Sequence, residues 1–92
     1  MNDKLVNLDA RQLKSLLATL VGMGVSEVDA DQTFATLVED NDAEEQDVEL
    51  EFIHKGRPVS VMVKASVSHN AAPVFSIESE EADVTTALAS SL

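Results

Sequence analysis

The chain has 92 residues, with 17 acidic side chains against 6 basic ones and neither cysteine, tryptophan nor tyrosine. That length suits one small domain spanning residues 1–92, and an apolar fraction of 45% is that of a globular protein. The missing cysteines exclude disulfides and thiolate metal sites, and a formal net charge of −11 argues against direct binding to nucleic acid or to an anionic membrane.

The opening "MNDKLVNLD" carries an acid at once and has no apolar run of the kind a signal peptide needs. The longest apolar stretch, Leu16 to Val25, is interrupted by Thr19, Gly22 and Gly24 and is too short to span a bilayer. A cytoplasmic protein is the expectation.

The first predicted helix covers about 10–21. Asp9 stands as N-cap with Gln12 three residues on, a capping box, and Leu8 and Leu13 are placed to form a hydrophobic staple. Leu13, Leu16, Leu17, Leu20 and Val21 follow at three-and-four spacing, which gives one apolar stripe, and Gly22 and Gly24 offer a left-handed stop. A second helix is predicted over about 30–40, capped by Asp29, with Phe34, Leu37 and Val38 as its apolar side.

From Val48 the apolar period changes to two. Val48, Leu50 and Phe52 alternate with Glu49, Glu51 and Ile53, the pattern of a strand with one buried face. "HKGRP" reads as a hairpin turn in which Gly56 supplies the permissive backbone. Val59, Val61, Val63, Ala65 and Val67 alternate with Ser60, Met62, Lys64, Ser66 and Ser68 as a second strand, and Val74 to Glu78 is a third, with Phe75 and Ile77 inward. Ser79 is read as the cap of a last helix whose inner face holds Val84, Leu88 and Leu92. The expected fold is α+β in the order α-α-β-β-β-α, a three-stranded antiparallel meander covered on one face by helices.

Charge is distributed unevenly along this framework. Residues 27–51 hold eleven acids and no base, whereas the flanking parts are close to neutral. Eight of the thirteen residues from Glu39 to Glu51 are acidic. Asp40, Asp42, Glu44 and Glu51 fall at positions one, three, five and twelve of a calcium-binding EF-hand loop, but Glu45 stands where the sharp turn requires glycine and Asp47 where an apolar residue belongs. No metal or cofactor is therefore expected. The two histidines, His54 and His69, fall in a hairpin tip and a short loop without a partner to orient them, and no nucleophile elbow, zinc motif or phosphate loop occurs, so no enzymatic activity is expected. His54, Lys55 and Arg57 form a basic tip, which without neighbouring aromatic residues offers no platform for stacking bases.

The acidic segment suits a basic partner. Asp47, Glu49 and Glu51 project from one strand face at steps of roughly 6.6 Å, twice the strand rise. That is within about a factor of two of the axial phosphate spacing of a nucleic-acid strand. In size and charge the chain is similar to DNA-mimic inhibitors, anti-CRISPR proteins and nuclease-toxin immunity proteins, and no motif places it in one family. The resulting expectation is a non-enzymatic protein that inhibits or modulates a basic, nucleic-acid-handling protein through Asp40, Asp42, Glu44, Glu45, Asp47, Glu49 and Glu51. The alternative is a homo-oligomeric structural or chaperone-like subunit. Its copies, a homodimer in the simplest case, would join through Ile53, Met62 and Val74 on the outward sheet face.

Overall fold

The computed structural model describes residues 3–39, 45–66 and 72–92. In chain order it contains β1 (Asp3–Leu8), α1 (Ala10–Met23), α2 (Glu27–Phe34) continuing into a π-helical turn (Ala35–Glu39), β2 (Glu45–His54), β3 (Arg57–Ser66), β4 (Val74–Ser79) and α3 (Ala82–Ala89). The fold is α+β, but its sheet has four strands in the order β1-β4-β3-β2, with every neighbouring pair antiparallel. The expected α-α-β-β-β-α meander of three strands is thus corrected by an additional N-terminal strand that pairs with β4. Among the described residues no helix is long and apolar enough to cross a membrane.

The physical reason for that omission lies within β1. Leu5 pairs with Ile77 and Leu8 with Phe75, so Val6 and Asn7 together oppose the single residue Ser76. This is a bulge, and Asn7 adopts the left-handed backbone, with φ 57°, that asparagine tolerates better than most residues. Leu5 and Leu8 are three apart yet belong to the same core, which erases the period of two from "DKLVNL". Leu8 is buried alongside Leu13, so the expected staple position and the end of the strand are one residue.

α1 forms as its sequence predicts. The Asp9 carboxylate accepts from the Gln12 N–H at 2.8 Å, and the Gln12 side-chain oxygen accepts from the Asp9 N–H at 3.0 Å. Leu13, Leu16, Leu17 and Leu20 face the core. The helix stops at Gly24, whose φ of 136° is closed to ordinary side chains, and a Cβ there would stand 3.2 Å from the Ile53 carbonyl oxygen. This close approach seats the end of α1 against β2.

α2 begins three residues before the predicted start, with Ser26 as N-cap, so Asp29 lies within the first turn rather than at the cap. Glu27 and Asp29 both favour the positive end of a helix, and either position satisfies that preference. The Thr33 hydroxyl donates to the Asp29 carbonyl at 2.8 Å, which permits its burial.

Leu50, Phe52, Val59, Val61, Val63, Ala65, Phe75 and Ile77 make the inner face of the sheet and share one core with the leucines of α1, Leu37, Val84 and Leu88. Ser79 ends β4 instead of capping α3. Its buried hydroxyl accepts from the Glu81 N–H at 3.1 Å, and Glu81 takes the cap position. Leu92, expected inside, is exposed, because α3 ends at Ala89 and the following turn carries Leu92 off the inner stripe.

Candidate functional site

β2 is an outer strand of the sheet, and its alternation decides what it shows to solvent. Leu50 and Phe52 turn inward, whereas Asp47, Glu49, Glu51 and Ile53 are exposed on the opposite face. Pairing with β3 runs without interruption from Glu45 opposite Ser66 to His54 opposite Arg57. Lys55 and Gly56, with φ of 53° and 78°, form a two-residue turn whose twist matches that of the strands. The carboxylate row therefore rests on a regular, ten-residue ladder.

The cross-strand neighbours differ along that row. Asp47 stands opposite Lys64, Glu49 opposite Met62 and Glu51 opposite Ser60. Beyond Met62 lies Glu78 of β4, and beyond Glu78 lies Lys4 of β1. Asp47 and Glu78 thus each have a lysine as cross-strand neighbour, while Glu49 and Glu51 have none and face each other's charge. The Glu49 carboxyl is raised above its ordinary value of 4.5, chiefly by a hydrogen bond shared with Glu51, then by lost hydration and by the Glu51 charge. A raised folded-state value means that the folded protein favours protonation here. That contribution is full at low pH and is lost as the pH rises through the folded value. Glu49→Gln should accordingly match wild type in melting temperature near pH 3 and exceed it at pH 7. A wild type more stable than the variant at pH 7 would contradict this mutual strain.

A trough of about 270 Å³ runs beside β2, lined by Asp29, Gln32, Thr33 and Thr36 of α2 and its continuation and by Val48, Glu49, Leu50 and Glu51. It brings Asp29 to the same groove as Glu49 and Glu51, a grouping that sequence alone did not suggest. The signal was the exposed Asp29–Gln32–Thr36 spacing on one helical side, which carries meaning only once α2 is known to lie beside β2. Among the described residues no set of three His, Asp or Glu side chains is arranged to hold a metal ion. The carboxylates form a line rather than a cage.

Of the other predicted contact residues, Asp40, Asp42 and Glu44 lie outside the described residues. Glu45 opens β2, and its side chain is likewise outside them. Ile53, Met62 and Val74 all occupy the outward face, but the structure does not gather them. Ile53 is 62% exposed opposite Pro58 near the hairpin turn, Met62 is half-buried at mid-strand, and Val74 lies opposite Ser66 at the far end. From Pro58 to Ser66 is about 26 Å of strand. Val74 instead shares a shallow depression of about 550 Å³ with Val6, Lys4 and Lys64.

The basic hairpin tip is engaged within the molecule. Lys55 Nζ is 2.9 Å from Asp83 Oδ2, and Arg57 is 3.0 Å from Glu81 Oε2, so both bases bind the start of α3. The Lys55 hydrogen bond and charge hold the Asp83 carboxyl below its ordinary value. These pairs join residues 28 and 24 apart in the sequence and have no local signature. His54 is half-buried with its ring edge-to-face against Phe52; His69 lies outside the described residues.

No family model, curated protein or solved structure matches the chain.

Proposed function

We propose that this is a small cytoplasmic, non-enzymatic protein that inhibits or modulates a basic partner, with nucleic-acid-handling proteins as the favoured class. The supporting observation is the unbroken ladder of β2, which presents Glu49 and Glu51 side by side with no base opposite either one. Carboxylates rooted on a strand already held in register, at backbone steps of roughly 6.6 Å, can enter a groove shaped for phosphates with little backbone ordering left to do on binding. The repulsion between them is relieved by an incoming cation.

Association of copies through the outward sheet face is the second reading. Val6, Ile53 and Val74 are exposed apolar residues there, and Met62 lies half-buried at its centre.

Light scattering combined with titration of a synthetic oligolysine peptide separates the two. The electrostatic reading expects a monomer that binds the peptide at about 50 mM salt and loses it at several hundred millimolar, where screening lengths fall to a few ångströms. A dimer that persists in high salt, together with no peptide binding at low salt, would favour the second reading and defeat the first.

A further inference from the structure

The sheet has two open edges, at β1 and β2, and they are protected differently. β1 has six residues, a bulge at Val6 and Asn7, and Lys4, all features that discourage another strand from pairing. β2 has ten residues and an unbroken register. Its main defence is charge, since a second copy pairing antiparallel there would bring Glu49 and Glu51 against their own kind.

The direction of the backbone groups follows from the turn. A two-residue hairpin makes His54 and Arg57 a hydrogen-bonded pair, so the pairs Phe52 with Val59, Leu50 with Val61 and Val48 with Val63 also exchange their bonds. The intervening Asp47, Glu49, Glu51 and Ile53 therefore turn N–H and C=O away from β3; at Ile53 the end of α1 closes on that side at Gly24, so the open edge runs from Asp47 to Glu51. Among the described residues none of these four forms a backbone bond to α2 or to a turn. The trough lies along this edge, with Asp29 on its far wall. A strand laid there would meet Glu49 and Glu51 on one face and Asp29 on the other.

We propose that β2 accepts an extended, basic segment of a partner protein as an antiparallel fifth strand. Its main chain would bond Glu49 and Glu51, and its lysine or arginine side chains would lie over the carboxylate row. The inference rests on the preceding reading of that row as a site for a basic partner, and adds the mode of recognition: backbone pairing for affinity, alternate basic side chains for selectivity. In an antiparallel ladder, residues that exchange hydrogen bonds project from the same face. The guest residues bonded to Glu49 and Glu51 are thus the basic ones.

The test uses ten-residue peptides of alternating lysine and threonine in three forms: unmodified, N-methylated at the lysine backbone nitrogens, and N-methylated at the threonine backbone nitrogens. All three carry the same charge. The proposal expects the lysine-methylated form to bind about tenfold more weakly or worse, and the threonine-methylated form to bind like the unmodified one. Amide hydrogen exchange should slow at Glu49 and Glu51 on binding. Equal binding of all three forms would overturn strand addition while leaving the carboxylate row as an electrostatic site. Loss on the threonine nitrogens instead would overturn the antiparallel arrangement. No binding of the unmodified peptide at low salt would remove the preceding reading as well. Protection of the Glu49 and Glu51 amides without peptide, in a protein of twice the monomer mass, would assign the edge to a second copy and overturn the proposal.

Discussion

Phe75→Ala should lower the stability of the fold by about 3–5 kcal/mol, the range for emptying an aromatic site in a packed core. Phe75 heads the fully buried side chains and is 0% exposed. It lies on β4, an inner strand with β1 on one side and β3 on the other, and pairs with Leu8 and Ala65. Truncation therefore removes packing from the sheet and from the junction between β1 and α1 together, and that junction has little freedom to collapse because the capping box fixes the entry to α1. Domains of this kind are stable by roughly 5–15 kcal/mol, so the variant would be marginal or unfolded. Val74→Ala, one residue away but 44% exposed, should stay within about ±0.5 kcal/mol. Urea titration of the two variants checks the pair. Equal losses would show that the inner and outer faces of β4 have been assigned wrongly.

What the sequence reveals about this fold depends on the distance over which each feature is specified. The capping box of α1 and the leucine stripe behind it are set within a dozen residues and form as read. The alternation in β2 and β3 is similarly local, and it puts Asp47, Glu49 and Glu51 on the solvent face without any knowledge of partners. β1 escaped because a bulge at Val6 and Asn7 breaks the only pattern a short strand has, and because its partner β4 is some seventy residues further along. The start of α3 was misplaced because the Ser79 hydroxyl makes the bond a cap would make, but does so from the end of a strand. The ion pairs of the basic tip have no trace in the sequence because Asp83 and Glu81 reach it only through tertiary packing. Ile53, Met62 and Val74 share a face by parity, but only the register reveals that they lie along its whole length and do not form one patch.

Reversing Glu49 and Glu51 to lysine should slow association with a basic partner by about tenfold or more at low salt, with the difference shrinking as salt is raised. Both side chains are exposed and alternate with Leu50 and Phe52, so the exchange should leave the core intact and change stability by no more than about ±0.5 kcal/mol. The reversal takes the formal net charge of the chain from −11 to −7, each substitution adding two units. Glu27→Lys with Asp31→Lys makes the same change in total charge. Those acids line the groove between α1 and α2, and the trough beside β2 is lined by other residues of α2. The decisive measurement is the association rate of wild type and both double variants with one basic partner or oligolysine probe, at low and high salt, with circular dichroism as the folding control. A carboxylate row that forms the site predicts a large loss for Glu49→Lys with Glu51→Lys and a much smaller one for Glu27→Lys with Asp31→Lys. Equal losses in the two would mean that only the overall charge of the protein matters, and would contradict a site on β2.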